Sequence, residues 1–146
     1  MKCAGFRQIN ASELAESDGQ TYRISVDFAG IQSKLTLEEP EIIEIRGWSL
    51  LPGQDNSLYG VNVILNNETS GIVYRVGTYA MPRKDLEEVF PDELNNKLCG
   101  FITRMLKDDL AQGKYRVGIE PTMLNHDLTS VKSVGIVVYT GAEVVI

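Results

Sequence analysis

The most informative region of the sequence runs from Ile42 to Ile119, and the clearest segment, at its start, reads EIIEIRGWSL over residues 41–50. Apolar and polar residues alternate along this segment. Ile43, Ile45 and Gly47 lie on one face, and a carboxylate, a guanidinium and the single tryptophan lie on the other. Alternation with a period of two predicts a β-strand that buries one face.

Similar short segments recur along the chain and are separated by turn residues. They cover residues 22–28, 59–65, 72–79, 100–105, 114–120, 130–139 and 143–146. Leu35 and Leu37 predict a further short strand before Pro40. Because no helices alternate with these strands, the pattern predicts an all-β fold, an antiparallel β-sandwich of the immunoglobulin-like or jelly-roll-like type.

One insert, near residues 83–91, breaks the alternation. Leu86 and Phe90 are spaced for one or two helical turns, and Pro91 ends them. We therefore predict a short helical insert that covers Phe90 and Phe101 at one end of the sandwich.

The length of 146 residues favours a single domain. Residues 1–20 are polar and weakly patterned, which predicts a tail or linker with one helical turn after Ser12. Residues 21–146 are then the sandwich domain.

The charge of the chain limits its partners. A net charge of −6 with scattered basic residues argues against nucleic acid. No apolar run reaches the roughly 18 residues that span a bilayer, and the first residues do not form a signal peptide. The compartment is left open, with the cytoplasm as the default expectation.

The residue types that carry chemistry form no catalytic constellation. The two cysteines, Cys3 and Cys99, are expected to be reduced, and with the single histidine they are too few for a metal site. His126 lies in a polar loop, and paired acids such as Glu38-Glu39 are typical of a solvated surface. We therefore predict no enzyme activity, no cofactor and no metal.

Aromatic residues and one arginine are the candidate ligand-binding residues, since aromatic rings stack on the C–H faces of sugars. These residues are Trp48, Tyr74, Tyr79 and Arg83. Trp48 has two interpretations: a ligand platform, or a core anchor covered by a loop. Arg83 likewise could bind a ligand, or could pair with Asp85 and fix the insert.

Four short motifs give the chain a resemblance to a known family. They are Gly47-Trp48-Ser49, Arg83-x-Asp85-Leu86, Gly100-Phe101 and Leu110-x-x-Gly113-x-Tyr115. Over residues 42–120 the chain resembles small β-sandwich domains that accompany bacterial surface-polysaccharide and teichoic-acid glycosyltransferases. The resemblance implies an accessory role beside glycan assembly, with a glycan or a glycosyltransferase domain as partner. It transfers no catalytic residue.

The sequence thus predicts a non-catalytic accessory or carbohydrate-binding module of bacterial cell-surface polysaccharide assembly. The alternative is a protein–protein docking or spacer domain without a small-molecule ligand. A small hydrolase built on facing carboxylates is the third reading. An open row of aromatics favours sugar binding, and a fully buried Trp48 favours the spacer.

Overall fold

The structure, a computed structural model, describes residues 5–15, 22–53, 55–56, 59–93, 98–124 and 130–146. Within these ranges the chain is mostly β-strand, with one short α-helix, α1 (Lys84–Val89). The strands are β1 (Phe6–Ile9), β2 (Arg23–Ile31), β3 (Ile42–Leu50), β4 (Tyr59–Asn67), β5 (Val73–Gly77), β6 (Tyr79–Met81), β7 (Gly100–Leu106), β8 (Lys114–Leu124), β9 (Val131–Ser133) and β10 (Val138–Val145).

The strands form two antiparallel sheets that pack face to face. Sheet 1 has the order β1-β5-β4-β8-β10, with β9 also paired to β8, and sheet 2 has the order β2-β3-β7-β6. If the strands are lettered in chain order, from A for β2 to G for β10, the spatial order β2-β3-β7-β6 is A-B-E-D and the order β5-β4-β8-β10 is C′-C-F-G. These are the strand orders of the immunoglobulin fold. The predicted β-sandwich is confirmed, and its strand order is the immunoglobulin-like one.

The apolar rows predicted from the sequence face the space between the sheets. Ile45, Val63, Val117 and Ile119 have no exposed surface, and Val61 is nearly as buried. Ile136, also predicted to be buried, is buried as well. Truncating one of the large side chains to Ala is expected to cost about 2–5 kcal/mol.

A β-bulge in β2 changes the face on which Phe28 lies. Val26 pairs with Gly47, but Phe28 pairs with Arg46, so Asp27 is an extra residue in the strand. The strict alternation expected for residues 22–28, with Phe28 beside Val26, is therefore wrong. The bulge moves Phe28 to the outer face of sheet 2.

The prediction of a polar tail needs correction for residues 5–15. Phe6–Ile9 form β1, which pairs with β5, and the ring of Phe6 stacks on Tyr74 with the centroids 5.1 Å apart. A 3₁₀ turn follows, in which the backbone N–H of Asn10 donates to Glu13 at 3.1 Å. Tertiary pairing overrides the weak local pattern of this segment.

The short strand predicted at Leu35 and Leu37 is absent. Both side chains are more than 90% exposed in the connection between β2 and β3, where bends and turns precede Pro40. Two leucines two residues apart do not form a strand here, because none of the described strands pairs with them.

The helical insert is confirmed, but its place differs from the prediction. Leu86 of α1 is buried with Leu50 and Cys99, and the ring of Phe90 lies 5.9 Å from that of Trp48. Trp48 is on the outer face, so α1 covers part of that face. Phe101 lies instead in the core between the sheets, not beneath the insert.

The motif Leu110-x-x-Gly113-x-Tyr115 forms a tyrosine corner. The hydroxyl of Tyr115 donates to the carbonyl of Ala111, four residues upstream, just before β8 begins. Gly113 has a φ of +144°, and a Cβ there would lie 2.5 Å from the side-chain amide of Asn67. This corner is typical of the E–F connection of immunoglobulin-like sandwiches, so the motif has a structural role.

Candidate functional site: the outer face of sheet 2

Four side chains lie directly opposite one another across the four strands of sheet 2. Phe28 pairs with Arg46, Arg46 with Ile102, and Ile102 with Tyr79. Direct cross-strand neighbours project to the same side of a sheet, here the face turned away from sheet 1. With strands about 4.8 Å apart, this cross-strand row extends about 14 Å.

The cross-strand row is open to solvent. Tyr79 is 53% exposed on the edge strand, and Phe28 and Ile102 are partly exposed. The Arg46 guanidinium lies 4.7 Å from the centre of the Phe28 ring, which is a cation–π contact. An apolar surface with a fixed charged group is therefore available to a ligand.

Beside this row, Arg83 is held by two carboxylates, a group we call the Arg83 clasp. Arg83 donates to both oxygens of Asp85, at 2.9 and 2.8 Å, and to Asp27 at 2.7 Å. The bulge that displaces Phe28 also aims Asp27 across the sheet at Arg83, a use of bulges that recurs beside functional sites. The clasp links the start of α1 to the opposite edge strand.

Electrostatics fix the ionisation of the clasp. The hydrogen bond to Asp85, together with that to Asp27, raises the pKa of Arg83. The same hydrogen bond from Arg83 lowers the pKa of Asp85 below its usual range. The guanidinium and the Asp85 carboxylate are therefore both charged at neutral pH.

Two glycines allow close packing, one beside Arg83 of the clasp and the other beside the bulge in β2. A Cβ at Gly100 would lie 2.7 Å from the Cγ of Arg83 and 2.8 Å from the carbonyl oxygen of Met81. A Cβ at Gly47 would lie 2.0 Å from the carbonyl oxygen of Ser25, next to the bulge. These contacts explain why glycines occupy the Gly47-Trp48 and Gly100-Phe101 motifs.

A groove of about 280 Å³ separates the clasp from the cross-strand row. Its walls include Asp27, Arg46, Met81, Arg83 and Ile102. The arrangement offers carboxylate acceptors, guanidinium donors and apolar surface within one shallow depression. These are the groups that a polyhydroxylated ligand needs.

The predicted ligand-binding residues fall into different places. Tyr79 and Arg83 are on the outer face of sheet 2. Trp48 is on the same face but is half-buried against Phe90, under the insert. Tyr74 is 8% exposed in the core, where its ring contacts those of Phe6 and Tyr115. This burial removes Tyr74 from the candidate site.

Four residues of the candidate site were not predicted from the sequence: Asp27, Phe28, Arg46 and Ile102. The bulge that brings Phe28 to this face leaves no mark on the alternating pattern, which by itself already places Asp27 there. Arg46 was assigned to the outward face of its strand, but its neighbours across the sheet depend on pairing register. The outward position of Arg46 beside Trp48 was the signal that could have identified it.

A second cavity, of about 330 Å³, opens at one end of the sandwich. Ser49, Tyr59, Cys99 and Thr122 are among its lining residues, and the Tyr59 hydroxyl has no hydrogen-bond partner among the described residues. Burial raises the pKa of Tyr59, an effect that the neighbouring Ser49 opposes. Burial, reinforced by Glu93, raises the pKa of Cys99 to about 11, so this thiol is protonated and weakly nucleophilic at neutral pH.

A buried ion pair lies on sheet 1, away from the outer face of sheet 2. Arg75 donates to both oxygens of Glu120, at 2.8 and 2.7 Å, and Glu120 also accepts from Asn62 at 3.0 Å. Asn62 donates further to Ser133, which joins β4 to β9. Because these donors and acceptors are used within the network, its role is structural.

The histidine and one of the two cysteines considered from the sequence, His126 and Cys3, are not among the described residues. Among the residues that are described, no cluster of metal-ligating side chains occurs. Within the same ranges, the helices are too short and too polar to span a bilayer.

Comparison with models of known families, with curated proteins and with solved structures finds no match.

Proposed function

We propose that this chain is a non-catalytic accessory module that binds carbohydrate on the outer face of sheet 2, in bacterial cell-surface polysaccharide assembly. The observation that carries the proposal is the cross-strand row beside the Arg83 clasp. The exposed ring of Tyr79 can stack on the C–H face of a sugar, and the partly exposed Arg46–Phe28 pair offers further apolar surface. Asp27 and Arg83 offer a fixed acceptor and a fixed donor to neighbouring hydroxyls.

The link to polysaccharide assembly rests on the resemblance of the four motifs. Three of them meet around sheet 2 in the structure: Gly47 and Gly100 accommodate the bulge and the Arg83 stem, and Arg83 holds Asp27. The fourth forms the tyrosine corner. The motifs therefore support a shared sandwich scaffold, and the ligand surface lies on that scaffold.

Binding of the labelled protein to an array of neutral, carboxylated and phosphorylated glycans tests the proposal. Wild type is expected to bind a subset of spots, and Tyr79→Ala to weaken that binding by about tenfold, as loss of a stacking ring removes about 1 kcal/mol or more. Arg116→Ala is the control on the other sheet, because Arg116 makes with Tyr139 of sheet 1 the kind of cation–π contact that Arg46 makes with Phe28 of sheet 2. Wild-type binding of Tyr79→Ala would contradict this placement of the site.

The alternative function, protein–protein docking, has one observation in its favour. Tyr79 and Met81 are exposed on β6, which is an edge strand, and Val89 of α1 is exposed nearby in sequence. Edge strands offer free backbone groups to an added strand. A silent glycan array for wild type would favour this alternative over carbohydrate binding.

A further inference from the structure

We infer that the ligand of the outer face of sheet 2 is an uncharged oligosaccharide lying across the strands, an inference that rests on the proposed function. The observations behind it are the balanced ion pairs around the groove and the length of the cross-strand row.

The ionic groups around the groove are paired among themselves. Glu44 accepts from Arg46 and from Arg104, each at 2.7 Å. Arg83 is shared between Asp27 and Asp85. The set contains three guanidinium groups and three carboxylates, so its formal charges cancel.

Pairing of this kind disfavours an anionic ligand. A phosphate or carboxylate that bound Arg83 would have to displace Asp27 or Asp85, or lie close to their negative charges. Glu44 is buried and contacts both other arginines, so it opposes an anion at Arg46 as well. Hydroxyl groups meet no such opposition, because each can accept from a guanidinium and donate to a carboxylate.

The clasp also acts as a preorganised binding group. Two hydrogen bonds from Arg83 fix the plane of the Asp85 carboxylate, and a third fixes Asp27. Groups held in place before binding lose little conformational freedom when the ligand arrives. The exposed surface thereby has a rigid set of donors and acceptors for a neutral ligand.

The length of the cross-strand row favours a chain of sugars over a single one. Tyr79 on β6 and Phe28 on β2 are separated by three strand spacings, about 14 Å. A single sugar ring is too short to contact Tyr79 and the Arg46–Phe28 pair together. An oligosaccharide perpendicular to the strands reaches both and passes over the groove.

The same glycan array, read by charge class, chain length and salt, tests the inference. We expect binding to neutral oligosaccharides that strengthens with chain length and changes less than about twofold between about 0.05 and 0.5 M NaCl, because screening acts on charge attraction. We expect Tyr79→Ala and Asp27→Asn each to lose about tenfold in binding while Arg116→Ala stays at the wild-type level. A melt of Asp27→Asn verifies that it is folded, and Tyr79→Ala, at an exposed edge, gives an independent readout.

The outcomes separate the two levels of the proposal. Preference for the phosphorylated or carboxylated spots, or binding lost at high salt, overturns the neutral ligand while carbohydrate binding stands. Equal binding of monosaccharides and longer chains overturns the cross-strand placement. No binding to any spot overturns the proposed function, and the inference with it.

Discussion

Substitution of Gly47 by Ala tests the backbone arrangement on which the outer face depends. The added methyl group would lie 2.0 Å from the carbonyl oxygen of Ser25 and 3.0 Å from the ring of Phe101. Both neighbours are confined, one as strand backbone and the other as a buried core side chain. Either β2 moves away from β3 or the bulge at Asp27 rearranges.

Overpacking of a tight site costs about 1–3 kcal/mol. The upper end is expected at Gly47, because the closest neighbour is backbone. At about 2–4 °C per kcal/mol for a domain of this size, a loss of about 3 kcal/mol lowers Tm by about 6–12 °C. Thermal unfolding followed by circular dichroism measures the shift.

Gly30→Ala is the matched control, since Gly30 is a glycine of the adjacent strand β2. A Cβ there meets only the tip of Phe28, at 3.6 Å, an ordinary contact. Its expected effect is within about 1 kcal/mol, because lower entropy of the unfolded chain favours Ala over Gly. If Gly47→Ala melts like Gly30→Ala, the close approach of β2 to β3 is wrong, and so is the position assigned to Asp27.

Three further predictions concern stability. Glu120→Gln is expected to cost about 3–5 kcal/mol in urea unfolding because Arg75 loses its buried countercharge and keeps only the more exposed Glu13, at 3.7 Å. Replacing both Arg75 and Glu120 with apolar residues should recover most of this loss, and a clearly smaller loss for Glu120→Gln alone would refute the buried pair. Tyr115→Phe removes the corner hydrogen bond to Ala111 and should cost about 1 kcal/mol; an unchanged denaturation midpoint would argue against the corner. Burial raises the pKa of Cys99 to about 11. Between the lower pKa of the unfolded thiol and about pH 11, the unfolded chain has released this proton while the folded chain keeps it. The free energy of unfolding therefore falls as the pH rises through this range. Cys99→Ala should show a smaller alkaline loss than wild type, and parallel pH profiles would contradict this.

Local pattern predicted the strands that bury one face. In β3 the alternation of Ile43 and Ile45 with Glu44 and Arg46 gave the strand, its phase and its buried side, because one face of the strand packs on the core. The break at Leu86 likewise predicted α1, since its spacing differs from that of a strand. The residues of the tyrosine corner form a recognisable sequence motif, but the hydrogen bond from Tyr115 to Ala111 follows only from the fold.

Features that depend on pairing partners were not predictable in this way. Phe28 fits the alternation of its strand, but a bulge opposite Gly47 moves it to the other face. Tyr74 was predicted to bind a ligand, but it is buried in the core, where Phe6, from a segment expected to be a tail, stacks on its ring. The candidate site combines residues of four strands, so its composition follows from register, which a single strand does not reveal.

Titration of the ¹⁵N-labelled protein with a neutral oligosaccharide that binds on the array locates the ligand on the protein surface. Amide shifts recorded by NMR report which surface the ligand contacts. We expect shifts concentrated on β2, β3, β6 and β7, with the largest around Arg46, Tyr79 and Arg83. Shifts concentrated instead at the end cavity, around Tyr59 and Thr122, would contradict the assignment of ligand binding to the outer face of sheet 2.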